Sequence, residues 1–97
     1  MGIPREIERD IVAKPEQKLE LEIYLLAREI ADLKVRIKKT LQQYNVSNLD
    51  ALEKKIEEGS VPEHPTYENY LSALPFQLDM EELSATLISK IQELTKL

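Results

Sequence analysis

Residues Glu16–Tyr44 read EQKLELEIYLLAREIADLKVRIKKTLQQY, and this stretch decides the fold. Leu19, Ile23, Leu26, Ile30, Leu33, Ile37, Thr40 and Tyr44 follow one another in alternating steps of four and three, a heptad seam sustained through the whole stretch. Leu19, Leu26 and Leu33 stand at d positions and Ile23, Ile30 and Ile37 at a positions. No Gly and no internal Pro interrupts them. At ~1.5 Å rise per residue a helix over 16–44 is about 43 Å long, more than a globule of 97 residues usually needs. Ile at a with Leu at d favours a parallel two-stranded coil. Leu21, Tyr24, Leu25, Val35 and Leu41 lie off the seam and widen the apolar surface, which favours a bundle or an antiparallel hairpin instead.

The flanks read as shorter helices. Ile3, Ile7 and Ile11 stand four apart and Pro15 ends or kinks what precedes it, so 1–15 holds a short helix over 4–13 or a docked arm. Downstream, Asn45-Val-Ser-Asn48 breaks the long helix. Ser47 as N-cap, with Asp50 three residues on, opens a helix over 49–58 that buries Leu49, Leu52 and Ile56. Gly59 supplies its left-handed C-cap. Pro65 starts a further short helix with Tyr67, Tyr70, Leu71 and Leu74 on one face, and Pro75 stops it. Asp79 and Glu82 cap a last helix over 80–97, with the stripe Met80, Leu83, Leu87, Ile91 and Leu94 widened by Ile88. The expectation is a single all-α domain over 1–97: the long helix 16–44 packed with three shorter helices in a hairpin or bundle.

Composition narrows the function. Two Gly, five aromatic residues and 32% charged residues argue against a sheet protein. The absence of Cys removes a disulfide framework, a thiolate metal site and a Cys nucleophile. No run approaches the ~18 apolar residues that span a bilayer, and no signal-peptide core follows the charged start, so a cytoplasmic protein without a membrane segment is expected. Gly2 and Gly59 are the only glycines, too few for a phosphate-cradling loop. His64, the only imidazole, sits in a polar loop with Ser60 and Thr66 as its candidate hydroxyl neighbours, and an exposed loop His is the simpler reading. The pairs Glu57-Glu58 and Glu81-Glu82 point about 100° apart on a helix and do not converge on one ligand. Glu20, Glu29 and Asp32 lack the Glu-x-x-His motif that a carboxylate bundle uses, since Val61 stands three before His64. No catalytic residue, cofactor or metal ligand is therefore assigned, and the chain does not read as an enzyme.

Charge is unevenly spread. Residues 1–44 carry 9 basic and 8 acidic groups and residues 45–97 carry 4 and 10, net +1 against -6. Lys34, Arg36, Lys38 and Lys39 form a basic end that the helix dipole explains. An acidic chain forfeits the counterion release that drives phosphate binding, which disfavours nucleic acid as a partner.

Protein recognition remains. Asp50, Glu53, Glu57, Glu58, Glu63 and Glu68 outnumber Lys54 and Lys55, and Tyr67 and Tyr70 offer apolar anchors beside them; the same two tyrosines also suit clamping a short helix to the core. Residues 47–71, SNLDALEKKIEEGSVPEHPTYENYL, resemble a segment of small helical prokaryotic proteins associated with toxin–antitoxin gene pairs. The shared features are a capped Glu- and Lys-rich helix, a Gly exit, Glu-His-Pro and a Tyr-Glu-x-Tyr turn, over 25 of 97 residues; Ser72-Ala73-Leu74 follows where that family has a further aromatic. The resemblance implies an antitoxin-like partner that masks a basic toxin. The partner-binding candidates are thus Asp50, Glu53, Glu57, Glu58, Glu63, Tyr67 and Tyr70. The alternative is a self-associating coiled-coil protein, structural or chaperone-like, similar to a prefoldin-type hairpin; Pro62, Pro65 and Pro75 argue against the second long helix it needs. A homodimer is expected on either reading, with Leu19, Ile23, Leu26, Ile30, Leu33 and Ile37 as the self-association seam.

The seam makes its own test. Ile30→Asp puts a charge at its middle, with no evident partner, and should lower the thermal midpoint severely. Arg36→Asp, at an outward position, should change it little. Equal losses in the two melts would mean that the seam lies elsewhere.

Overall fold

A computed structural model describes residues 14–97. These residues form three helices, α1 (Pro15–Gln43), α2 (Leu49–Glu57) and α3 (Glu63–Thr95), and no strand. The expected helix over 4–13 lies outside the described residues. The protein is an all-α hairpin: α1 and α3 pack along their lengths and α2 fills the closed end between them.

Capping sets the boundaries of α1 and α2. Pro15 takes the first helical position of α1, where its missing N–H costs nothing, and the Gln17 side chain accepts the Lys14 backbone N–H at 3.1 Å. At the far end Asn45 adopts the left-handed region, φ 53°. The N–H groups of Asn45 and Val46 turn back onto the carbonyls of Gln42 and Leu41, a Schellman motif closed by Val46 packing near Leu41. The same motif ends α2: Gly59, φ 71°, and Ser60 return to the carbonyls of Ile56 and Lys55. At the start of α2 the cap is Asn48, not Ser47; its Oδ1 accepts the Ala51 N–H at 2.7 Å. Asn and Ser both cap well, and Asn one residue later leaves Leu49 free to turn inward.

The largest departure from expectation is α3. Pro75 does not stop a helix; it sits inside one, and the expected helices from Pro65 and over 80–97 are a single element of 33 residues. Its regular turns run from Pro65, since His64 is extended at φ -113°, ψ 133°. A proline inside a helix costs about 3 kcal/mol. Against that, Ala73 is buried and Leu74, Phe76 and Met80 are half-buried on the core, each worth part of the ~1.5–3 kcal/mol of a fully buried large side chain. Continuing the helix keeps all four on the face toward α1, so burial outweighs the lost hydrogen bond. Capping by Asp79 is not needed.

The two long helices keep one antiparallel register. Glu22 meets Lys90, Arg36 lies over the Phe76 ring and Tyr44 bonds Asn69. Fourteen residues forward on α1, from 22 to 36, match fourteen back on α3, from 90 to 76. The heptad seam of α1 faces α3: Leu19 and Ile37 are buried, and Ile23, Leu26, Ile30 and Leu33 half-buried. On α3 the facing stripe is Ala73, Met80, Leu83, Leu87 and Leu94. Ile91, expected in that stripe, is exposed; the half-buried Lys90 takes the place and pairs with Glu22 at 2.7 Å. Tyr67 and Leu71, expected on the inner face beside Tyr70 and Leu74, also point outward.

Burial is concentrated at the closed end. Ile37, Leu49, Leu52 and Ala73 form the core, joined by Leu41, Tyr44, Val46, Ile56 and Tyr70. Toward the open end only two helices remain, and Leu21, Tyr24, Leu25, Ile88 and Ile91 stay exposed. The radius of gyration is 20.7 Å, against about 12.5 Å for a compact domain of this length.

Leu52 has no exposed surface, so Leu52→Ala should cost ~2–5 kcal/mol in chemical denaturation. Val35→Ala, on the outer side of α1, should stay within about 0.5 kcal/mol. Because Arg36 stacks 5.5 Å from the Phe76 ring, Arg36→Asp should cost ~0.5–1 kcal/mol rather than nothing, still well below Ile30→Asp.

Candidate functional site

The closed end of the hairpin is also its most acidic part. Leu49 and Leu52 turn inward and fix α2 against α3. This orients Asp50, Glu53 and Glu57, which share one side of α2 at helical spacing, toward the surface beside the start of α3. The Tyr70 hydroxyl reaches across and donates to Glu53 Oε2 at 2.7 Å. Asp50 and Tyr67 stand close enough to act on the same phenol. The structure thus brings together Asp50, Glu53, Tyr67 and Tyr70. Glu57 continues their row, Glu58 is the C-cap of α2, and Glu63 lies at the start of α3 beside His64.

The tyrosines divide the two roles the sequence allowed. Tyr70 is half-buried, packs on the core and holds Glu53, so it acts as a clamp. Tyr67 is 44% exposed and is the one free to meet a partner. The lysines divide too. Lys55 Nζ donates to the carbonyl of Tyr44 at 3.1 Å, capping the end of α1, and is half-buried. Only Lys54 remains exposed on α2 against Asp50, Glu53, Glu57 and Glu58. The exposed charges of α2 are therefore mostly acidic.

His64 is exposed and its Nδ1 bonds Glu68, one turn on. Glu68 raises the imidazole above its ordinary range, chiefly through that hydrogen bond, with Glu63 adding to it. In return the His64 bond lowers the Glu68 carboxyl. Ser60 Oγ donates instead to the Lys55 carbonyl and Thr66 is buried, so neither hydroxyl is joined to His64. Among the described residues no three His, Cys, Asp or Glu side chains converge as metal ligands would. Among the described residues no helix is long and apolar enough to cross a membrane.

Sequence reasoning missed a half-buried polar tie. Asn69 Nδ2 donates to the Tyr44 hydroxyl at 2.7 Å, joining α3 to the end of α1. Neither residue advertises this by spacing, because 25 residues separate them.

A family model described as the uncharacterized protein MJ0235 family matches residues 5–96, and the chain belongs to that family. No curated protein and no solved structure matches it.

The Tyr70–Glu53 bond has a pH signature. That bond first, then burial, then the charges of Glu53 and Asp50 push the phenol up to about 12 from 10. The unfolded chain loses this proton near pH 10 and the folded protein near 12, so the stability from Tyr70 is whole below pH 10 and is lost as pH rises through 12. Denaturation midpoints should fall more steeply over that window in the wild type than in Tyr70→Phe. Parallel curves would show that the hydroxyl contributes nothing to the fold.

Proposed function

We propose that this member of the MJ0235 family is a non-enzymatic interaction module whose acidic closed end binds a basic protein. The observation that carries it is the exposed carboxylate row of α2 lying beside the outward-facing Tyr67, with a packed core behind it. Charge steers and orients such an encounter, and an aromatic anchor holds it. The antitoxin-like role implied by the resemblance of residues 47–71 is the specific form of this reading: the acidic end would mask the basic surface of a toxin.

A second reading, a self-associating structural or chaperone-like hairpin, is favoured by the length of α3. Its 33 residues against 29 in α1 give the two long arms that a hairpin of this kind needs, despite Pro75. Leu21, Tyr24 and Leu25, exposed near the open end, offer apolar surface to a client or a second copy.

Glu57→Lys combined with Glu58→Lys reverses exposed charges and leaves the Glu53–Tyr70 bond in place. A partner captured from source-cell lysate should be basic, should bind the wild type with an association rate that falls steeply with salt, and should bind the double variant about tenfold more slowly at low salt. An acidic partner, or equal rates for both proteins, would reject the acidic end as the site. Suppression of aggregation of an unfolded client, unaffected by the double variant, would favour the second reading.

A further inference from the structure

The two broad faces of the hairpin differ. With about 100° between successive residues, Glu22, Glu29 and Arg36 lie on one side of the α1 seam. The structure sets Lys90, Glu82 and Phe76 beside them on α3. The opposite face carries Ile23, Ala27 and Ala31 on α1. Lys34 and Lys38 continue it, overhanging a groove of about 430 Å³ that Met80 and Val46 also line. On α3 the exposed Ile88 and Ile91 extend the apolar centre of this face.

Along α1 this face is a self-complementary stripe. Glu16 and Glu20 stand at one end, Lys34 and Lys38 at the other, and Ile23, Ala27 and Ala31 between them. Ala27 is the midpoint: Glu20 lies seven residues before it and Lys34 seven after, Glu16 eleven before and Lys38 eleven after, Ile23 four before and Ala31 four after. All four charged side chains are exposed. Among the described residues the ion pairs are Glu22–Lys90 and His64–Glu68, so none of the four is paired with another described residue.

We propose that a second copy of this chain docks on this face, with the two α1 helices antiparallel and crossing at Ala27. A two-fold axis there sets Glu20 against Lys34 of the second copy, Glu16 against Lys38, and the large Ile23 against the small Ala31, each twice. A parallel arrangement would set Glu on Glu and Lys on Lys. Alanine at the crossing lets the axes approach to about 8 Å. The stripe from 16 to 38 is ~33 Å long and the two-helix layer ~20 Å wide. The resulting ~660 Å² in projection approaches the ~800 Å² per partner of a stable interface. Of the α1 seam only Ile23, half-buried at its edge, reaches this face; the rest is closed against α3. This proposal stands apart from the acidic closed end and does not depend on it.

Because the chain contains no Cys, single cysteines report the geometry. Ala27→Cys should form a covalent dimer rapidly on oxidation, since an ~8 Å crossing places the two Cα atoms within disulfide reach. Val35→Cys, on the outer side of α1, should not. Light scattering should give a dimer at micromolar concentration. Glu20→Lys should weaken it about tenfold, as should Lys34→Glu, and the Glu20→Lys/Lys34→Glu protein should recover wild-type affinity. Ala27→Glu should give a monomer of unchanged helix content by circular dichroism. A folded monomer at every concentration tested, a dimer indifferent to the charge swap, or equal cross-linking at 27 and 35 would each overturn the proposal. None of these outcomes bears on the Glu57 and Glu58 variants, so the two surfaces fail or stand separately.

Discussion

A single contact between two long helices governs this molecule. Each helix can bury only one stripe against the other, and the α1 seam meets the stripe of α3 in one unbroken register. Everything else follows from that limit. Two helices alone exclude little water, so the fully buried residues gather where α2 adds a third element, around Leu49 and Leu52. The polar ties gather there as well, Tyr44 to Asn69 and Tyr70 to Glu53. What the pairing does not cover stays exposed.

The register also explains how charge is distributed. Within the hairpin a cation is tolerated at the seam only where an acid faces it, as Lys90 faces Glu22. Charges that need no internal partner stand on the broad faces and on the outer side of α2. At the closed end Lys55 is drawn inward to a backbone carbonyl, which leaves the exposed side of α2 mostly acidic.

Much of this was legible in the sequence, and the parts that were not share one cause. The α1 heptad, its ends near 16 and 44, the inward Leu49 and Leu52 and the left-handed Gly59 are local signals that the structure bears out. Pro75 misled because a local rule met a tertiary one: the helix continues where several side chains beyond the proline are half-buried against a distant partner. Lys90 for Ile91, and the outward turn of Tyr67 and Leu71, have the same origin. Which of two adjacent residues faces α1 depends on a slow drift of the stripe around the helix, which no short window reveals. The candidate site was legible as composition, but the division of Tyr70 into clamp and Tyr67 into free surface required the partner helices.

The antiparallel register imposes a gradient on how the chain comes together. Tyr44 and Asn69 are 25 residues apart along the chain, whereas Glu22 and Lys90 at the other end are 68 apart. Closing the longer loop adds only about 0.9 kcal/mol of chain entropy. Loop length therefore does little to oppose zipping; the side-chain burial gained per turn thins out toward the open end instead. The closed end is the natural nucleus, with α2 and the two adjoining half-helices assembled before the arms meet. The arms are also the first part to separate in the native state, so amide exchange is slowest around Leu52 and Ala73 and quickens outward along both helices.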